Sequence, residues 1–537
     1  MKLMEIFGLE GAEFNEKMLF FLTAVGLAVL GAIGILSPQW FNDMMMAGYD
    51  FVLHNFGWWF MVLGFALLAF SVFMTFSKYG KIRIGGQDAE PEFGLFGWIA
   101  MVFTVGYSGS IIIWGVGEPA SIMAAPPPEP WPVSGALESM SLSFMFIHEI
   151  FPGLAMWYPP FALAFALTIY NRNVDRFKIS SMLKPLLGDG DHKYLYWVVD
   201  LASLIAIVGG IAATMGFSAQ TFDALISDVF NMPGSSLTYI LFGLIGLVFL
   251  GDVWLGLHKG IQNAARATVI LAMISAGFLL VVGPTLSAIN IGLDATGIWI
   301  NNMFRLSFFT DPTAAGDWGH YWTSFWWAWW AAWGIFVGSF VARVSKGRTL
   351  RETFVSLVAI PGVFLWIQHS IIGGWVLSPG YVEPVTEAVS SGGIPAAIAE
   401  AVNLTPYGLV LAVLFVLVIT GYVITSLDST VFILSSITLG TENPNARNRA
   451  WWGVLLAFVG VMTIELPLFS AMQAFPVILA FPFTVFLVAI AFSSYVAARD
   501  YFRANVLEDG EEHSSFITRK SEPQPAQKQS QPAPDDD

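Results

Sequence analysis

Residues 318–352 read WGHYWTSFWWAWWAAWGIFVGSFVARVSKGRTLRE, and seven tryptophans fall between Trp318 and Trp333. The basic residues Arg343, Lys346, Arg348 and Arg351 mark where this apolar segment leaves a membrane. Trp333 lies ten residues before Arg343, or roughly 15 Å at about 1.5 Å per helical residue. In a hydrocarbon core about 30 Å thick, that is close to the midplane. Tryptophan normally gathers at the two interfaces, where its N–H meets water or headgroups. Trp318 and Trp322 fit that habit, whereas Trp329, Trp330 and Trp333 are too deep for it. At i, i+1 and i+4 these three share one broad helix face. Two readings are open. The indole faces form a cage for a cation, each contact worth about 0.5–2 kcal/mol. Or the rings pack helices and donate their N–H groups to neighbouring carbonyls.

The surrounding chain has 537 residues, 56% of them hydrophobic and 12% charged. A mean hydropathy of +0.66 excludes an ordinary soluble domain and points to an all-α integral membrane protein. The absence of cysteine excludes disulfides, thiol catalysis and cysteine-ligated metals. A net charge of −15 argues against a nucleic-acid partner. The N-terminal stretch 1–17 carries acidic residues and no basic n-region, so a cleavable signal peptide is not expected. No phosphate-binding loop, dinucleotide fingerprint or zinc spacing is present, so an enzyme is not expected and no cofactor is implied.

Apolar runs of spanning length predict twelve transmembrane helices at 18–38, 52–76, 94–116, 140–170, 194–221, 236–256, 263–290, 318–343, 353–377, 406–436, 450–472 and 476–499. The basic residues test that count. With both termini inside the cell, Arg305 alone of the 24 Lys and Arg falls on the outer side, as the positive-inside rule requires. Asp294 to Phe309 is too short and polar to span, and its apolar spacing suggests an amphipathic helix lying in the outer interface. The stretch 504–537 is acidic and proline-rich, a composition typical of disordered tails.

Three helices carry polar groups at depth. Helix three holds Gly106-Tyr107-Ser108-Gly109-Ser110 followed by Trp114-Gly115-Val116-Gly117-Glu118-Pro119. Such glycines and serines either weaken the helix so that carbonyls face a cavity or permit close helix packing. Helix four contains His148-Glu149 and, further on, Leu154, Trp157 and Tyr158. An ionisable pair inside a span is costly and marks a functional position by default; a satisfied packing pair is the alternative. Glu149 is expected to touch substrate or coupling ion. Helix ten has Thr425-Ser426, adjacent hydroxyls that either supply oxygen ligands to Na⁺ or bond the carbonyls one turn back.

These segments resemble the betaine/carnitine/choline transporter family. Its signature is a tryptophan-rich eighth helix running into Arg-x-Ser-(Lys/Arg)-Gly-Arg-x-(Leu/Ile)-Arg-Glu, present here as Trp329 to Glu352. The resemblance covers nearly the whole chain. It implies a five-plus-five inverted repeat of the leucine-transporter type, helices 3–7 and 8–12, behind two leading helices. The corresponding divisions are 1–17 and 18–90, then 91–290 for the first repeat, 291–317 for the interfacial helix and loop, 318–503 for the second repeat, and 504–537 for the tail. It further implies a homotrimer in the cytoplasmic membrane. Trp329, Trp330 and Trp333 would hold a quaternary ammonium or sulfonium head, aided by Trp157, Glu149, Tyr107, Ser108 and Ser110. A sodium ion would bind Thr425 and Ser426 with carbonyls near Thr104 and Tyr107. Thr214 and Phe336 are available for a second sodium site, but Gly210 stands where the family has a threonine, so that site is expected to be weak or absent. Two departures stand out. The family's Gly-Met-Gly-x-Gly is altered at Gly106 to Ser110, and the fourth-helix aromatics are rebuilt as Glu149, Leu154 and Trp157. The resemblance favours sodium-coupled uptake of a solute such as glycine betaine, choline or carnitine. A sodium-independent exchanger, a carrier of another amine or amino acid, and a membrane sensor remain rivals.

Overall fold

The computed structural model describes residues 2–106, 110–174, 176–188, 190–232, 234–255, 261–312, 317–465 and 469–506. Tyr107, Ser108 and the tail from 507 to 537 therefore lie outside the described residues, as does the side chain of Ser110. The described chain is helical, apart from one isolated antiparallel bridge between Arg83 and Thr349.

Short α1 (Lys2–Ile6) leads into α2 (Phe14–Leu36) and α3 (Pro38–Phe76). Then come α4 (Leu95–Val105) and α5 (Ser110–Ala124), the two pieces of the expected third helix. The fourth is α6 (Leu137–Met145) and α7 (Gly153–Phe165), joined through a π-helical turn at Phe146–Ile150. After short α8 (Lys184–Leu187) come α9 (Lys193–Ala224), α10 (Gly234–Leu255), α11 (Gln262–Val282) and α12 (Thr285–Ser307). A π-turn at His320–Ser324 opens α13 (Phe325–Val344). The rest are α14 (Leu350–Val376), α15 (Val382–Leu404), α16 (Gly408–Leu439), α17 (Ala446–Glu465) and α18 (Phe469–Asn505).

Among the described residues, nine helices are long and apolar enough to cross a membrane. The expected spans 94–116, 236–256 and 450–472 correspond to the broken pair α4/α5, to α10 and to α17. Three boundaries differ most from the sequence reading. The span expected to 290 stops at Val282, because Gly283 leaves helical geometry and Pro284 lacks an N–H. The interfacial helix α12 accordingly begins at Thr285, well before Asp294. The second helix begins at Pro38 rather than 52; Gln39, Asn42 and Asp43 carry it beyond the apolar run. The stretch after residue 377 has the composition of a loop but contains α15, which bends at Gly393 (φ 74°) and packs on α5. Its mixed Glu, Ser, Gly and Ala content carries no continuous apolar stripe.

One end of the bundle is basic and tightly cross-linked. The loop after α13 pairs with residues 82–84: Leu350 N–H donates to the Ile82 carbonyl at 2.9 Å, and Gly347 N–H to the Ile84 carbonyl at 2.9 Å. Arg343 reaches Glu92 at 2.6 Å and Glu442 at 3.0 Å, and Lys346 reaches Glu442 at 2.9 Å. Arg351 donates to the Thr75 carbonyl at 3.1 Å. Thr349 and Glu352 form a capping box that starts α14 and satisfies its first N–H groups. At the N-terminus, hydrogen bonds from Arg176 hold the Glu13 carboxyl below its ordinary range. The basic signature loop thus clamps segments from four parts of the chain.

Gly347 has φ +81°, and a Cβ there would lie 2.1 Å from the Glu90 carbonyl carbon. Gly347→Ala should destabilise the fold by at least about 1–3 kcal/mol, read as a lowered unfolding temperature in detergent. Gly277→Ala is the control, because a Cβ there meets nothing within 4 Å.

Candidate functional site

The third helix stops at Val105, with Gly106 as its cap, and resumes at Ser110. The Gly106 carbonyl is not left bare: the Tyr158 hydroxyl donates to it at 2.7 Å. Tyr158 comes from the fourth helix, which carries its own break. Pro152 has no N–H to offer the His148 carbonyl one turn back. The indole N–H of Trp330 takes that place, donating to the His148 carbonyl at 2.8 Å. Broken helices three and four are therefore both stitched to neighbours by aromatic side chains.

The π-turn at Phe146–Ile150 admits one residue more than an α-helix of the same length. It shifts the register of α7. Tyr158 meets the eighth helix with its ring, edge-on to Trp330 at 5.2 Å, whereas Trp157 meets it at Gly334 through its backbone carbonyl. Trp157 is buried on the other side, where a Cβ on Gly64 of α3 would lie 3.3 Å from its Cζ2. Sequence reasoning misses Tyr158 because the extra residue of a π-turn leaves no mark on apolar spacing.

Trp329, Trp330 and Trp333 line one small cavity of about 20 Å³. Trp114, Trp326 and Phe217 complete its aromatic wall, and Gly106, Ile113 and Thr214 its remainder. Trp326 stacks on Trp329 at 5.4 Å and on Trp330 at 5.8 Å. Trp114 stands edge-on to Trp329 at 5.4 Å, and Phe217 to Trp329 at 5.3 Å. The indole N–H groups of Trp329 and Trp333 are buried and have no hydrogen-bond partner among the described residues. Those of Trp157, Trp326, Trp327 and Trp452 are in the same condition; what sets Trp329 and Trp333 apart is that they also line the cavity. Trp114 and Trp326 belong to stretches the sequence already marks, whereas Phe217 carries no motif of its own and only the fold brings it in.

Gly210 of α9 faces this wall. A Cβ there would sit 2.9 Å from Trp333 Cδ1 and 3.1 Å from its Nε1. The indole of Trp333 fills the space a larger residue would need. Nearby, Thr214 points its hydroxyl loosely back to the Gly210 carbonyl at 3.5 Å, and Phe336 packs on Trp333 at 5.0 Å.

Glu149 is not on the cavity wall. Its carboxylate lies 3.1 Å from His369 Nε2 of α14, and both side chains are fully buried. His148 Nδ1 lies 2.5 Å from Glu118 Oε1, and His148 Nε2 lies 2.9 Å from Thr323 Oγ1. Glu149, expected at the site, thus belongs with Glu118 to a buried polar layer behind the indoles. His369, 220 positions from Glu149, has no signal in sequence that pairs them.

On α16 the Thr425 hydroxyl donates to the carbonyls of Gly421 and Tyr422, both at 3.0 Å. The Ser426 oxygen is buried with no partner among the described residues. Thr104 donates to the Ala100 carbonyl at 2.9 Å. A hydroxyl that donates its hydrogen keeps oxygen lone pairs free, so these side chains fit a hard cation as ligands. Helices α4 and α16 meet through Phe103 and Tyr422, whose rings are 6.3 Å apart.

A broken helix, an indole-walled cavity and buried hydroxyls within a many-helix apolar chain define a multi-pass membrane protein built to bind a small solute. The family model described as BCCT, betaine/carnitine/choline family transporter, matches residues 18–503, and the chain belongs to that family of transporters. It is 29% identical to the glycine betaine transporter OpuD of Bacillus subtilis (strain 168) over 473 residues, 86% of this chain and 90% of that protein. It is 28% identical to an ectoine/hydroxyectoine transporter of Virgibacillus pantothenticus over 475 residues, 87% of this chain and 93% of the other. Among solved structures, that of MhsT in complex with L-phenylalanine aligns with a TM-score of 0.44 at 15% identity, covering 78% of this chain and 99% of that one.

Gly210→Ala should push the Trp333 indole aside and overpack the wall, at about 1–3 kcal/mol. The expected readouts are a lower unfolding temperature and an altered near-ultraviolet circular dichroism spectrum.

Proposed function

We propose that the chain is a secondary transporter that couples sodium to the uptake of a small onium solute by alternating access. The observation that carries this reading is the deep cavity walled by the indoles of Trp329, Trp330 and Trp333. A quaternary ammonium has no hydrogen to donate, so shape and π faces are what recognise it. The two indole N–H donors suit an anionic group on the same solute, as in a zwitterion such as glycine betaine. Choline and carnitine share the head group. Relatives named for glycine betaine and for ectoine put both solutes in the test set. Glu149, engaged with His369, gives the carrier of a different amine or amino acid no direct support.

In this reading Na⁺ is a co-substrate. Ser426 and Thr425 on α16 would hold it together with Thr104 and the carbonyl of Tyr107, drawing the third helix to the tenth. The second site at Thr214 and Phe336 lacks the hydroxyl that the family places at Gly210, and one sodium per cycle is the consequence. The twelve spans form the two inverted repeats, the basic clamp faces the cytoplasm, and the protein works as a trimer in the cytoplasmic membrane.

Uptake of labelled solute into proteoliposomes tests this. Trp329→Leu and Trp333→Leu should each raise the half-saturating solute concentration roughly twofold to thirtyfold, which is what losing about 0.5–2 kcal/mol of ring attraction gives. Ser426→Ala should raise the sodium requirement with little change in solute affinity at saturating sodium. Uptake that proceeds equally well in K⁺ would assign the protein to the exchangers instead.

A further inference from the structure

Two acids and two histidines lie together inside the protein, and the cavity does not use them. Glu118, His148, Glu149 and His369 all have side chains 0% exposed, and none lines the indole cavity. They form two pairs, Glu118 with His148 at 2.5 Å and Glu149 with His369 at 3.1 Å. His148 and Glu149 are consecutive on one π-turn. Thr323, which closes the chain at His148 Nε2, lies on the second π-turn, His320–Ser324. Such turns recur at functional sites because they open the backbone and re-aim side chains.

The pairs also touch the cavity wall. The His148 ring stacks on Trp326 at 6.2 Å, and its carbonyl holds the Trp330 indole at 2.8 Å. His369 Nδ1 is buried without a partner among the described residues, 3.5 Å from where a Cβ on Gly115 would stand. That nitrogen is a place for a proton.

On α6, which packs on the π-turn, Glu138 is half-buried. Besides Glu118 from α5 and His369 from α14, the π-turn before α13 offers Thr323, while its His320 turns to Gly57 of α3. α12 brings Trp299, whose ring lies 5.5 Å from Phe146, and its Asp294 and Arg305 are exposed. On α15, Glu383 and Glu387 are exposed and Glu400 is half-buried.

Each Glu–His pair is neutral when it holds one shared proton. Removing that proton leaves a net negative charge in a medium that screens poorly; adding one leaves a positive charge. Groups this close titrate as a unit. A cation entering behind Trp326 stabilises the form with one proton fewer. By reciprocity, protonation weakens cation binding. A metal ion is a poorer occupant, since no group of three or more His, Asp or Glu among the described residues is arranged to hold one.

We propose that the two buried Glu–His pairs are a proton-binding site, and that a cation entering the indole cavity releases a proton from it. The identity of that cation rests on the function proposed above; the proton site does not. The test uses the purified full chain in weakly buffered detergent with a pH-indicator dye. Tetramethylammonium chloride is titrated in at fixed NaCl, with KCl as the control titrant, while tryptophan fluorescence is read from the same sample. The expected result is a proton release that saturates together with the fluorescence change. Cation affinity should rise with pH over about pH 5–8, where histidine-linked sites titrate. Release and pH dependence should both be lost in Glu149→Gln, with cation binding retained. His369→Gln removes the other half of the pair and should act alike, which covers a failure of the first variant to fold. A fluorescence change with no proton release overturns the proton site and leaves the cation site standing. No fluorescence change with tetramethylammonium sinks the cage reading and the coupling with it.

Discussion

A hydrogen bond from an indole to a backbone carbonyl holds the centre of this molecule together. In a membrane interior no water satisfies a bare carbonyl, and each one left unpaired costs several kcal/mol. Pro152 removes the N–H that His148 would use, and Trp330 replaces it at 2.8 Å. That bond fixes the Trp330 ring, and the ring fixes the edge-on position of Tyr158. Tyr158 in turn caps the broken third helix at Gly106. One proline thus sets the geometry of three helices around the cavity.

The site separates two kinds of chemistry with a wall of rings. On one side are the π faces and N–H groups of Trp329 and Trp333. On the other are the two Glu–His pairs, shut away from the cavity. Trp326 stands between, stacked on Trp329 and against His148. A charge placed on one side is felt on the other because little intervenes to screen it. The hydroxyls of α16 lie outside this wall and connect instead to the third helix through Tyr422 and Phe103.

Much of this is legible in the sequence. The tryptophan run is so far from the basic end that its depth comes from helix rise alone, and Trp329, Trp330 and Trp333 do share a cavity. The third helix falls into two pieces, α4 and α5, on either side of the glycine- and serine-rich stretch that the sequence marks. The features that escape sequence reasoning lack a local pattern. Tyr158, one residue beyond the Trp157 that the family resemblance puts at the site, is the ring that stands against Trp330. The pairing of Glu149 with His369 joins segments that only the fold brings together. Helix α15 hides because its composition is that of a loop, and its helicity comes from packing on α5 rather than from its own pattern.

The central claim is that this indole cavity binds an onium solute with the help of sodium. Isothermal titration calorimetry of the purified chain addresses it directly, with glycine betaine, choline, carnitine and ectoine each titrated in Na⁺ and in K⁺. The account predicts saturable binding of at least one quaternary ammonium, tighter in Na⁺, and its loss when Trp329 and Trp333 are both replaced by leucine. Binding of equal strength in the two salts, or binding that survives the double replacement, would contradict it.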